Sequence, residues 1–160
     1  MELHAVPIDL PSSSNVIIGQ AHFIKTIVDL HETLAMASPV LRFGAAFCEA
    51  SGPCLVRRSG NDAELTEAAV QAATDIGAGH SFVVFLRDGF PVNVLNQLKA
   101  IPEVCRIICA TANPLEVLVA ATEAGRGIVG VVDGAPPRAV EAESDVEARL
   151  DLLRQIGYRV

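Results

Sequence analysis

At 160 residues the chain has the length of one domain (1–160), and its 51% hydrophobic content plus 12 Gly exceeds what a monomer's core absorbs, so a homo-oligomer is expected. A net charge of −7 with no run of basic residues excludes nucleic acid and anionic membrane as expected partners. No segment approaches the roughly 18 consecutive apolar residues of a membrane span, and MELHAVPIDLP lacks a signal-peptide pattern, so the expected address is the cytosol.

Residues 1–14 read as an N-terminal strand, Leu3 to Ile8, followed by a polar connector containing PSSS. NVIIG is a short β-branched run that ends in Gly19-Gln20. In HFIKTIVDLHETLAMAS, residues Ile24, Ile27, Val28, His31, Leu34 and Ala35 share one stripe, which predicts an amphipathic helix from about Ile24, stopped by Ser38-Pro39. His31 lies on that stripe or at its edge and reads as a packed or interfacial histidine. Leu41 to Cys48 and Cys54 to Arg58 read as strands that pair across Ala50-Ser51-Gly52-Pro53. Asn61 is placed as the next N-cap, with Glu64 in the capping-box position and an apolar stripe from Leu65 to Ile76. Gly77 and Gly79 supply the stop.

Ser81 to Leu86 is continuously apolar, as in a strand covered on both faces. Pro91 opens a helix to Ala100, and Val104 to Ala110 is a further strand. Glu116 to Thr122 and Gly127 to Val132 form a hairpin about Ala124-Gly125-Arg126. Residues 134–145 make a surface connector before a closing helix, Val146 to Ile156. Strand-helix-strand units alternating with hairpins predict an α/β protein: a three-layer α/β/α domain with a mixed sheet. Cys48, Cys54, Cys105 and Cys109 have spacings that fit neither a CxxC pair nor a zinc knuckle. They are expected as buried thiols, with Cys105 and Cys109 on one strand face.

Ligands of open α/β sheets bind beyond the carboxyl ends of strands. NVIIG runs into Gln20 and His22, RFGAAFC into Glu49, SFVVFL into Arg87 and Asp88, VCRIICA into Thr111 and Asn113, and GIVGVV into Asp133. With parallel central strands these residues converge on one edge as a polar pocket; the other reading is that strand ends are polar because they surface there. His22 stands between Gly19 and a helix start, where free backbone N–H groups and the helix dipole favour an anion, and Lys25 adds a positive charge. A plain surface-loop histidine is the alternative. GxxxxGK[ST] does not occur. His80 precedes a strand and is expected at its amino end, away from the pocket. Asn93 and Asn96 share a helix face and either cap, face solvent or reach a ligand base.

The blocks VIIGQAHFIKT, FGAAFCEASG, AGHSFVVFLR, PVNVLNQLK, PEVCRIICATANP and GRGIVGVVDG, in this order between about Asn15 and Tyr158, resemble the adenosine-specific kinase family. The resemblance implies an α/β fold, binding of adenosine or AMP in preference to the di- and triphosphates, a phosphorylated histidine, and a trimer or a multiple of it. That histidine is assigned to the GQAHFIK block, hence His22, with His80 as the alternative. His22 then serves as nucleophile, Lys25 and the helix start stabilise the phosphoryl group, and Glu49 orients the imidazole. Gln20, Asn93, Asn96, Thr111 and Asn113 are the expected substrate-binding residues. Phosphoryl transfer ordinarily uses a metal, and Glu49 and Asp133 are the candidate magnesium carboxylates; no organic cofactor is expected. A non-catalytic adenosine or AMP sensor and a purely structural oligomer are the competing functions.

Overall fold

In the computed structural model, which describes residues 1–160, the elements follow the order β1 (Glu2–Ile8), β2 (Asn15–Ala21), α1 (Thr26–Ala37), β3 (Arg42–Cys48), β4 (Val56–Gly60), α2 (Ala63–Ile76), β5 (Ser81–Arg87), α3 (Pro91–Lys99), β6 (Val104–Thr111), β7 (Leu115–Thr122), β8 (Gly125–Asp133) and α4 (Glu143–Gln155). One sheet has the order β4-β3-β5-β2-β6 and a smaller one the order β1-β7-β8. Every pairing in both is antiparallel, so the expected mixed sheet is corrected to two antiparallel sheets.

The reason lies in how the strand-helix-strand units are threaded. β2 and β3, joined through α1, do run parallel, but β5 lies between them and pairs antiparallel with both. Likewise β5 and β6, joined through α3, run parallel with β2 between them. The two crossovers are split and interleaved, and no ladder joins parallel neighbours.

The central strands are apolar on both faces because each face is covered. Ile17, Phe43, Ala45, Phe47, Phe82 and Val84 meet Leu30 and Leu34 of α1 and Val94 and Leu98 of α3. On the other face, Val16, Ile18, Ala46, Val83 and Phe85 meet α2 and the inward residues Val6, Val117 and Val119 of the small sheet. The second layer is therefore a helix and a sheet side by side. α2 lies close against β3, where a Cβ at Gly44 would overlap the main chain of Leu65 and Thr66.

Local chemistry explains most element ends. Asp62, not Asn61, caps α2, its carboxylate accepting from the Leu65 N–H at 3.0 Å. Asn61 instead ties down the start of β3, accepting from Phe43 N at 2.8 Å and donating to Leu41 O at 2.9 Å. Gly77, with φ +59°, stops α2 in the left-handed conformation. α1 starts at Thr26 rather than Ile24, because Phe23 adopts φ +80° and Thr26 Oγ1 closes the turn on Phe23 O at 2.7 Å. α4 takes residues 143–145 from the expected connector and buries none of its residues.

His31 packs edge-on against Phe43 and hydrogen-bonds Ser59 Oγ at 2.7 Å, as expected. Of the four thiols only Cys48 is buried; burial pushes the half-buried Cys109 up to about 11, while Cys54 and Cys105 are exposed. Two register shifts in the β2–β6 ladder break the period that put Cys105 and Cys109 on one face, and Cys54 occupies the β3–β4 turn. No helix is long and apolar enough to cross a membrane.

Candidate functional site

Because β2 and β3 point the same way with β5 reversed between them, the ends of β2 and β3 meet the starts of β5 and β6 at one sheet edge. Backbone bonds join the four segments: Ala21 N to His80 O at 2.9 Å, His22 N to Glu103 O at 2.9 Å, and His80 N to Cys48 O at 2.8 Å. Gln20, His22, Lys25 and Glu49 all belong to this edge. His80 joins them, against expectation, since an antiparallel β5 starts where β2 ends. It has φ +63° and lies flat against Phe47, ring centroids 6.0 Å apart.

Thr111 and Asn113 lie at the opposite edge, so the single pocket expected from the strand ends does not exist. Thr111 pairs with Val16 at the start of β2, roughly 13 Å from Gln20 at about 3.3 Å per strand residue. There both residues serve Asp133, with Thr111 Oγ1 donating at 2.6 Å and Asn113 Nδ2 at 3.2 Å. Arg87 and Asp88 are also at that edge, at the end of β5. α3 starts just beyond them, where Asn93 accepts from Phe90 N at 2.9 Å to cap the helix, and Asn96 follows one turn on, exposed.

Two assigned roles also change. Glu49 does not reach an imidazole: its carboxylate accepts from Leu55 N at 2.8 Å and from Arg57 Nε and Nη2 at 2.9 and 2.8 Å. These bonds, the Leu55 amide foremost, hold its carboxyl below the usual range. Lys25 Nζ is bonded to both carboxylate oxygens of Asp29 at 2.7 Å and is not a free cation. The candidate magnesium carboxylates Glu49 and Asp133 stand at opposite edges, each engaged by other partners, and no cluster of three or more His, Cys, Asp or Glu has metal-binding geometry.

Beneath the His22 turn, Glu103 is only 5% exposed and neither carboxylate oxygen has a donor. Burial and the neighbouring Asp29 push its carboxyl up, whereas hydrogen bonds from Lys25 and Glu103 hold Asp29 down. A proton on Glu103 supplies the donor that two facing carboxylates lack. Around His22 itself, which is exposed, the amides of Phe23, Ile24 and Lys25 have no backbone acceptor.

Two cavities open at this edge on the α2 side of the sheet. The larger, about 510 Å³, lies between the end of α2, the β3–β4 turn and the β7–β8 hairpin, with Glu49, Cys54, Thr74, Gly79 and Arg126 among its walls. The smaller, about 180 Å³, is lined by Gln20, Gly79, Ser81, Arg106 and Gly127 among others. The sequence carries a signal for Asp29, four residues after Lys25 at helix ion-pair spacing. Nothing local marks Glu103, Arg106 or Arg126, which are brought here from distant strands.

No curated protein matches the chain. The crystal structure of the PH1918 protein from Pyrococcus horikoshii OT3 superposes with a TM-score of 0.95 at 41% identity, covering 99% of this chain and 98% of that one. The sequence profile of the adenosine specific kinase family matches residues 6–159. The chain therefore belongs to the adenosine specific kinase family.

Proposed function

We propose that the protein is an adenosine-specific phosphotransferase that works through a phosphohistidine at the His22 edge. The observation that carries this reading is the meeting of His22 and His80 at one sheet edge, where a cavity of about 510 Å³ also opens on the α2 side without either histidine in its lining. That volume falls within the roughly 300–1,000 Å³ typical of small-molecule sites. In the reading, a ring nitrogen of His22 attacks the phosphorus of a phosphorylated donor. The N–P bond forms as the donor's O–P bond breaks, and the donor oxygen leaves with the electron pair. The free amides of residues 23–25 face the added charge. A hydroxyl oxygen of adenosine then attacks the phosphorus, the new O–P bond forms as the N–P bond breaks, and the departing ring nitrogen keeps the electron pair and takes up the hydroxyl proton, which returns the imidazole. Gln20 lines the approach; Lys25 and Glu49 support the turn and the hairpin through Asp29 and Arg57 rather than touching the phosphoryl group.

One observation favours the binding-only alternative. The histidine side chains with polar protein partners are His4, near Glu2, and His31, on Ser59; neither His22 nor His80 has one. No carboxylate orients either imidazole as a general base would need.

The test is intact-mass analysis at neutral and acid pH, because a phosphoramidate is acid-labile. Wild type and His80→Ala should carry an acid-sensitive phosphoryl adduct and His22→Ala none. An adduct that survives His22→Ala and disappears in His80→Ala moves the site to His80. Nucleoside binding with no adduct in any variant and no turnover makes the protein a sensor.

A further inference from the structure

The turn from His22 to Lys25 has no apolar anchor. All four of its residues are exposed, Phe23 by 59% and Ile24 by 46%. Phe23 nevertheless holds φ +80°, a left-handed conformation that a bulky residue keeps only where its surroundings over-determine it. The constraint comes from polar contacts at the two ends. At the β2 end, His22 N donates to Glu103 O at 2.9 Å. At the α1 end, Lys25 Nζ bonds the Asp29 carboxylate at 2.7 Å, and the buried Thr26 donates to Phe23 O at 2.7 Å. The side chains of Glu103 and Asp29 also meet, so one carboxyl pair closes the frame between β6 and α1. The Glu103 carboxyl is buried without a donor, and Asp29 is already committed to Lys25. The bond between the two carboxyls therefore runs through a proton on Glu103. From α1, Asp29 and Lys25 face this carboxyl, and Glu32 bears on Lys25. α3 brings only the uncharged Gln97 and Ala100 to the groove it forms with Asp29 and Glu32. On β6, the Cys105 thiol donates to Glu103 O at 3.7 Å.

We propose that Glu103 is the positioning residue of the His22 turn, its protonated carboxyl clamping the start of β6 to the first turn of α1 so that His22 and the free amides of residues 23–25 keep their places. The role in the reaction rests on the phosphohistidine reading above and adds to it a group that never touches the phosphoryl. When Glu103 ionises, its proton leaves for solvent, the bond to Asp29 is lost, and two carboxylates share Lys25. Their repulsion drives the first turn of α1 away from β6, and the segment between them loosens. The clamp is closed below the folded Glu103 value, which lies above the ordinary glutamate range, and opens as pH rises through it.

The experiment compares the full chain as wild type, Glu103→Gln and Glu103→Ala between about pH 5 and pH 9. The first measurement, without ligand, is hydrogen exchange at the bonded amides of His22 and Thr26. The second is the rate at which phosphoramidate, a small phosphoryl donor, builds the acid-labile adduct. Each is taken as a ratio to Glu103→Gln at the same pH, which cancels the titration of the donor and of His22. Glutamine keeps a donor toward Asp29 at every pH, so wild type should match it at the acid end. At the alkaline end wild type should exchange roughly 3- to 10-fold faster and react slower by a similar factor, the range of one hydrogen bond. Glu103→Ala should show the alkaline behaviour throughout. Ratios that stay flat with pH, or Glu103→Ala indistinguishable from Glu103→Gln, overturn the clamp. A step in exchange with no step in rate overturns the positioning role and leaves the phosphohistidine standing. An exchange step with no adduct in any variant at any pH supports the clamp and overturns the phosphohistidine reading.

Discussion

Glu103 joins protonation to folding at the base of the His22 turn. The folded chain keeps the Glu103 proton to higher pH than an unfolded chain does. Its contribution is therefore fully present below the ordinary glutamate value and lost as pH rises through the folded value. Asp29 behaves oppositely, stabilising above its unfolded value and failing only as pH falls through its depressed one. Glu103→Gln, which cannot ionise, should melt a few degrees above wild type at about pH 8 and converge with it near pH 4. Thermal melts across that range decide; a gap that does not change with pH excludes a titrating Glu103. At this scale the sequence disclosed the polar residues at the ends of β2 and β3. It could not disclose that Glu49 is consumed by Arg57, because that bond depends on hairpin register, which local pattern sets only loosely.

Among the elements, α2 shows how little room the layers leave. Its first turns cross β3 at Gly44, where any side chain would strike the main chain of Leu65 and Thr66 rather than a movable group. Gly44→Ala should cost about 2–3 kcal/mol or more in chemical denaturation. A loss below about 0.5 kcal/mol would mean that the helix stands off the sheet. Strands and helices were readable here from apolar runs, Pro91, Gly77 and the charged faces. Strand partners were not: β2-α1-β3 is a parallel crossover, as its pattern requires, but nothing in those residues announces that β5 will insert between the two strands. That insertion sends Thr111 to the far edge and brings His80 to the near one.

The whole molecule exposes more surface than its mass calls for. A compact monomer of 16.9 kDa presents about 7,700 Å² by the usual scaling, against 9412 Å² here. α4 is unburied along its length, and Leu152, Ile156 and Tyr158 near its end are exposed, as are Leu3, Val129 and Val132 of the small sheet. We propose that these surfaces meet in a homo-oligomer, a trimer or a multiple of it. Light scattering at micromolar concentration should return a multiple of the chain mass, and a monomer mass would refute the assembly. The apolar surplus was visible in composition, but which faces it occupies follows from how the chain is threaded.

The register of β1 on β7 pairs Glu2 with Ala121 and Ile8 with Leu115. β1, which leaves the ribosome well before β7, is thus among the last of these strands to find its partner, on the order of ten seconds later at usual rates of synthesis. Closing so long a loop is costly before any contact rewards it, which slows the final step of folding. Until then α2 and the β5 face beside it lack their second cover, and the walls that Gly125, Arg126 and Gly127 provide have not been made. A nascent chain halted before β8 can hold both histidines at one edge while neither neighbouring cavity yet has its β8 wall.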